Sequence, residues 1–430
     1  MKRSHLVKKI TATGLTLILG SLMLATVTGC GREIPQEETT FVGSGVKTLS
    51  EMVPEKDASL VLWTGNQDYG EAIAKAFEAK YGVPVSVVQE GMGTVDKVSL
   101  SGPSGEGPDV FVTAHDQFQK GLSSGVLMQM EDAVADNVRD KVAESGVSTV
   151  TNDGKIYGVP VSIEVNCMLY NKDLVSTPAT SLEEIMQGAE TFNDPENNRF
   201  NLLCNIGDGY NEFPFLSNQG YQIFGSDGKD DSDPGFDTQE FENGLQLLST
   251  LQKSMPVSST DLNNKSSLKA NFMEGNVAYY ITGPWDIQQI KDSGVNFGIT
   301  TLPTYQEKPL KPFAGVQCAF VSSFTKYPIA SELLASFLIS EEGAEILYDQ
   351  SSGITTLKDI NQVKGLSEDE YLSVFVKQFE NSVPIPSQKR MSYIWSVLPD
   401  ISRAVFDGQL TPAEGRSKAV ENWKALLATE

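Results

Sequence analysis

Histidine is almost absent from this chain. There are two in 430 residues, His5 and His115, and the four cysteines stand far apart with no CxxC among them. A metal site built from such ligands has no spacing to rest on, so neither metal nor cofactor is expected. Positive charge is scarce too: 33 Lys and Arg face 56 Asp and Glu, a formal net charge of −23. So acidic a surface argues against nucleic acid or anionic lipid as the ligand. The longest apolar run, Ile10 to Val27, is short for a bilayer span and diluted by Thr, Gly and Ser. Internal repeats and low-complexity stretches are missing from the body as well.

That apolar run has a different use. Lys2, Arg3, Lys8 and Lys9 precede it and small residues follow, which is the layout of a secretory signal. It ends in VTGC, an apolar residue, a small pair and Cys30, and so resembles a bacterial lipobox. Residues 1–29 are therefore expected to be a signal peptide, with Cys30 the acylated first residue after cleavage. The alternative is a plain signal peptide with an incidental cysteine. Residues 30–56 are rich in Glu, Gly, Ser and Thr, and cannot bury enough surface to fold alone. They are expected to be a tether to the outer face of the cell membrane.

The body has room for two domains. SLVLWT (Ser59–Thr64) reads as a buried strand and GEAIAKAFEAKYG as a helix closed by Gly82. VPVSVV and VFVTA are the next strands, and a helix is expected from about Asp116 to Ser123. Strand, helix, strand implies parallel pairing in an open α/β sheet. Ligands of such sheets bind beyond the strands' C-terminal ends, which directs attention to Asn66, Gln67 and Asp68 and to His115 and Asp116. KIYGVPVSIEVNCMLYNKDLV (Lys155–Val175) and FAGVQCAFVSSF (Phe313–Phe324) are long extended runs, each able to pass between lobes. The strand in FMEGNVAYYITGPW is expected to end at Trp285, and the tail from Tyr371 to be mainly helical. Cys167, Cys204 and Cys318 lie in apolar runs and read as buried small hydrophobes.

Five stretches carry a family resemblance: GPDVFVTAHDQF (Gly107–Phe118), GVPVSIEVNCMLYNKDLV (Gly158–Val175), EGNVAYYITGPWDI (Glu274–Ile287), TLPTYQEKPLKPFAGVQ (Thr301–Gln317) and MSYIW (Met391–Trp395). Together they resemble the extracellular solute-binding proteins of sugar ABC importers, and are most similar to the maltose/maltodextrin-binding proteins. The resemblance implies a two-lobed periplasmic-binding-protein fold of the type II kind, with a hinge crossed by extended segments. One lobe would comprise residues 57–163 and 317–365, and the other 164–316 and 366–430. It implies a monomer that does no chemistry, closes on an oligosaccharide and delivers it to permease subunits.

Position by position, the resemblance makes Asp116 and Glu164 acceptors for sugar hydroxyls. It gives Asp208 the acidic and Tyr210 the aromatic position of NIGDGYNEFP, and makes Trp285 and Trp395 stacking platforms. It places a polar pair at Asn66-Gln67-Asp68. The chemistry suits a sugar, since carboxylates accept hydroxyl protons in charge-assisted bonds and rings offer flat apolar area. Structural alternatives stand beside these roles. Asp116 can cap the helix it opens, Asp208 can serve a turn, and Trp285 can pack in the core. Trp63 is expected in the core, and His115 is read as a structural hydrogen-bonder. The sequence departs from the family pattern at Thr113, often aromatic, in the short loop after Trp63, at Glu90–Lys97, and at Pro399, where an arginine is common. Two other functions remain open: an exported glycoside hydrolase drawing on Asp116, Glu164 and Asp208, and a binding lipoprotein that feeds a sensor.

Overall fold

The computed structural model describes residues 48–91 and 93–430. Cys30, the expected signal peptide and most of the expected tether lie outside the described residues. The alternating pattern at the start of the body folds as read. β1 (Leu60–Thr64), α1 (Gln67–Tyr81), β2 (Val85–Gln89) and β3 (Val110–Ala114) follow in order, and β1 pairs in parallel with both β2 and β3. Tyr69, Ile73 and Phe77 form the buried face of α1. Gly82, at φ +69°, ends the helix in the left-handed conformation that glycine adopts without cost.

Next come β4 (Gly158–Val165) and β5 (Cys167–Asn171), with Asn166 alone between them. Then follow β6 (Phe200–Cys204), α2 (Gln239–Leu251), α3 (Lys265–Met273), β7 (Val277–Thr282), β8 (Phe297–Thr300) and β9 (Phe313–Val321). Toward the C-terminus lie α4 (Pro328–Phe337), β10 (Ile354–Thr355), β11 (Val383–Pro384), α5 (Met391–Phe406) and α6 (Pro412–Leu427).

Two main sheets result. One runs β10-β4-β9-β3-β1-β2 with β11 beside β9, and the other runs β8-β5-β7-β6. β4 leaves the first sheet toward the second, and β9 enters the first coming back. They must therefore run in opposite directions, and β9 pairs antiparallel with β4 and with β3. The parallel pairing implied by the strand–helix pattern holds for β1 to β3 and gives way at these crossing strands. Ala314 lies opposite Val165 and Gly315 opposite Glu164, so both crossings sit side by side at one end of the sheet.

Two local expectations shift. The strand expected to reach Trp285 stops at Thr282, and Pro284–Asp286 forms a 3-10 turn, since Pro284 has no N–H for a ladder. The helix expected from Asp116 opens instead with a 3-10 turn, His115–Gln117, before Phe118–Ser123. The tail is helical as expected, with Pro399 inside α5, where it gives no N–H to the carbonyl of Trp395. Cys167, Cys204 and Cys318 are buried and unpaired, and burial raises each thiol's pKa. Among the described residues no helix is long and apolar enough to cross a membrane.

Candidate functional site

The C-terminal ends of β1 and β3 are neighbours in the sheet, and each delivers polar residues there. Beyond β1, Asn66 caps α1 by accepting the Tyr69 N–H at 3.0 Å. Gln67 donates to Glu71 at 2.7 Å and Asp68 is exposed. No hydrogen bond joins this trio to the other expected residues among those described; the helix start uses Asn66.

Beyond β3, Asp116 is 6% exposed and its Oδ2 accepts two bonds. One comes from Trp395 Nε1 at 2.9 Å and the other from Gln117 Nε2 at 2.7 Å. Asp116 caps no helix, because the next helix starts at Phe118 without a side-chain cap. Glu164, half-buried on β4, accepts the Gln317 amide at 2.9 Å. Burial is the main force raising its pKa, with the charge of Asp116 adding to it, while the Gln317 bond and Lys265 oppose. Gly315 lies across the ladder, where a β-carbon would meet Glu164 Oε2 at an ordinary 3.7 Å.

The loop after β6 explains Asp208. Its Oδ1 accepts the N–H groups of Tyr210 and Asn211 at 2.9 and 2.8 Å. Its Oδ2 takes the Asn211 amide at 2.6 Å and Lys265 Nζ at 2.9 Å. The turn role considered for Asp208 is therefore present, and its acceptor capacity is largely spent on its own loop. Gly207 and Gly209 flank it at φ +105° and +82°. A β-carbon on Gly209 would sit 2.9 Å from the Trp395 ring, and one on Gly207 2.3 Å from Arg403 Cγ, so the loop lies flat on α5. Pro399 also borders the loop, its Cγ 3.6 Å from a β-carbon placed on Gly209, and Arg403 reaches the loop from the next turn. Beneath the loop Glu212 is fully buried, accepts from Asp208 N–H and Gly209 N–H, and is pushed up to about 8 by burial and by Asp208.

Trp285 is 38% exposed while Trp63 is 8% exposed, which separates a surface ring from a core one. The core-packing alternative for Trp285 does not hold. Its turn is fixed by Asp286, which accepts from Lys269 Nζ at 2.9 Å, Thr282 Oγ1 at 2.6 Å and Tyr280 OH at 3.2 Å. From Trp285 a row of rings continues through Tyr210 and Phe313 to Trp395, with successive centroids 6.2, 6.0 and 5.8 Å apart. The row ends at Asp116 through the indole N–H.

The structure thus brings Asp116, Glu164, Tyr210, Trp285 and Trp395 into one cluster around the buried Phe313, with Asp208 shaping it and the Asn66–Asp68 trio apart. Sequence reasoning missed Gln317, Phe313, Lys265, Asp286 and Arg403. Gln317 carried a signal as the one polar residue within the apolar FAGVQCAFV. The others act through contacts that no local pattern encodes. The charges of Glu90–Lys97 are spent nearby, Glu90 on Lys97 and Asp96 on Lys120. Among the described residues no cluster of three His, Cys, Asp or Glu could hold a metal ion.

Flat rings bordered by carboxylates on a two-sheet frame are the attributes of a binding protein for a small polar solute. The bacterial extracellular solute-binding protein family matches residues 72–373, and this chain belongs to it. Among curated relatives, a maltooligosaccharide ABC transporter solute-binding lipoprotein of Streptococcus pneumoniae (strain ATCC BAA-255 / R6) is 29% identical, covering 94% of this chain and 95% of the relative. A galactooligosaccharide-binding protein of Bacillus subtilis (strain 168) is 28% identical, covering 86% and 90%. The crystal structure of MalX from Streptococcus pneumoniae in complex with maltopentaose matches with a TM-score of 0.76 at 27% identity, covering 85% of this chain and all of that one.

Proposed function

We propose that this protein is the carbohydrate-binding component of an ABC importer, capturing maltodextrin-type oligosaccharides and handing them to membrane permease subunits. The observation that carries this is the row Trp285–Tyr210–Phe313–Trp395 ending on Asp116, with Glu164 beside it. Sugar rings can lie on the partly exposed faces of Trp285, Tyr210 and Trp395, which the fully buried Phe313 backs, while their hydroxyls donate to the two carboxylates. The relatives support this over the hydrolase alternative, since those named are binding proteins. Asp208, spent on its own loop, is also poorly placed to act as a free acid or base.

Capture works by closure in this proposal. The lobe formed by residues 57–163 and 317–365 carries Asp116, and the lobe formed by 164–316 and 366–430 carries Trp285 and Trp395. A ligand touching both favours the closed population. Cys30 is the lipidated first residue, holding the body at the extracellular face of the cell membrane. The test is calorimetry with maltose, maltotetraose and a galactooligosaccharide, alongside small-angle scattering of the same samples. Saturable binding of the maltodextrins with a smaller radius of gyration is expected. Binding only of the galactooligosaccharide would overturn the substrate class, and an unchanged radius in a saturated sample would overturn closure.

A further inference from the structure

His115 joins two segments at once. Its Nδ1 accepts the Val316 N–H at 3.1 Å, and its Nε2 lies 3.0 Å from the Ile385 carbonyl oxygen. A backbone N–H can only donate and a carbonyl can only accept. Nδ1 must therefore be bare and Nε2 must carry the hydrogen, so the partners select one neutral tautomer. The ring is 4% exposed.

Each attachment point adjoins the site. Asp116 follows His115 in the same 3-10 turn. Gln317, which holds Glu164, follows Val316 on β9. Ile385 lies just past β11 in the segment that leads into α5 and Trp395, and its own N–H donates to Ala314 on β9 at 3.2 Å. One ring thus ties together the turn bearing one carboxylate, the strand that positions the other, and the approach to the helix bearing the indole. An apolar side chain of the same size would leave both a buried N–H and a buried carbonyl unpaired.

We propose that His115, held as the neutral Nε2–H tautomer, is a positioning residue that sets Asp116, Gln317 and the approach to α5 in the arrangement ligand binding needs. The inference rests on the reading of Asp116 as a ligand acceptor. Protonation would place a second hydrogen on Nδ1, facing the Val316 N–H, and break that tie. Burial keeps the ring's pKa below its ordinary value; the negative charge of Asp116 on its own turn and the backbone contacts oppose. From β9 and from the 383–385 segment the ring meets backbone groups. Glu164 on β4 and the Cys318 thiol on β9 are near enough to Asp116 to feel its charge.

The test has two readouts. In a chain that starts at Cys30, His115 is the one histidine, so imidazole nitrogen NMR reads that ring without ambiguity. His115 is expected as the Nε2–H tautomer, still neutral at a pH where free histidine added to the sample has begun to charge, near about 6.5. Calorimetry with maltotetraose then compares His115→Ala in wild-type and Asp116→Ala backgrounds. A loss of about ten-fold or more is expected in the first and a smaller one in the second, because the share exerted through Asp116 is gone while that through Gln317 and α5 remains. His115→Gln, which keeps an amide donor toward Ile385, and His115→Asn, which keeps an acceptor toward Val316, should each recover part of the loss. They also answer the question if the alanine variant does not fold. Oligosaccharide binding by the wild type together with a charged or Nδ1–H ring, or with equal losses in both backgrounds, overturns this inference alone. No oligosaccharide binding by the wild type overturns the functional reading and this inference with it.

Discussion

Trp395 donates its indole N–H to Asp116 at 2.9 Å, across 279 positions of sequence. A stacking platform and a hydroxyl acceptor, each expected to face a sugar, are here each other's partner. The bond does two things. It satisfies a buried carboxylate oxygen, and it fixes the plane of the ring that ends the aromatic row.

Replacing Trp395 by Phe keeps ring faces and removes the donor. Asp116 would retain only Gln117, so chemical denaturation should show a loss of about 1–3 kcal/mol. Oligosaccharide affinity should fall less than in Trp395→Ala, which removes the platform itself. Equal affinity losses in the two variants would show that the N–H, not the ring, is what the ligand needs.

Trp285→Ala separates a platform from a core residue. The ring is 38% exposed, so the melting temperature should barely move. Binding should weaken by about 1–3 kcal/mol if the ring is a hot spot. A large drop in melting temperature with unchanged affinity would reverse the assignment.

Gly209→Ala tests the flat seat of the loop on α5. The position has φ +82°, and a β-carbon would meet the Trp395 ring at 2.9 Å. Both strain and contact oppose the substitution, so stability should fall by at least about 1 kcal/mol and the Trp395 fluorescence environment should change. Wild-type stability in urea melts would mean the loop has other conformations available.

Glu332 predicts a pH effect away from the site. It is fully buried on α4, and Oε1 accepts the Glu131 N–H at 2.8 Å while Oε2 has no hydrogen-bond partner. Burial chiefly, with Glu131 and Glu55 adding, raises its pKa from 4.5 to about 8. The native state therefore holds this proton more tightly than the unfolded chain. The stability it contributes is complete below pH 4.5 and is lost as pH rises through about 8. Glu332→Gln supplies a permanent neutral amide, so it should exceed wild type above that range by a few kcal/mol in order of magnitude, and match it near pH 4. Parallel stability curves across the range would mean the carboxyl is hydrated or paired.

Much of this protein could be read from short windows of sequence. β1 to β3, α1 and its Gly82 cap, and the helical tail follow from periodicity and turn chemistry, because those forces act between residues a few positions apart. The family resemblance pointed to nine positions: Asp116, Glu164, Tyr210, Trp285 and Trp395 fall in one cluster, Asp208 serves its own loop, and Asn66, Gln67 and Asp68 stay at the start of α1. Only the tertiary structure decided what each of them meets. Asp208 was visible as an acid in a glycine-rich loop, yet whether its oxygens faced a ligand or its own backbone depended on how that loop lay against α5. The exposure of Trp285 depended on the Asp286–Lys269 pair beneath its turn. The antiparallel entry of β9 followed from a chain that crosses to a second sheet and must return. Pairs such as Asp116 with the Trp395 indole and His115 with the Val316 N–H come from segments hundreds of residues apart. Their partners exist only once the packing of both sheets has fixed where each segment runs.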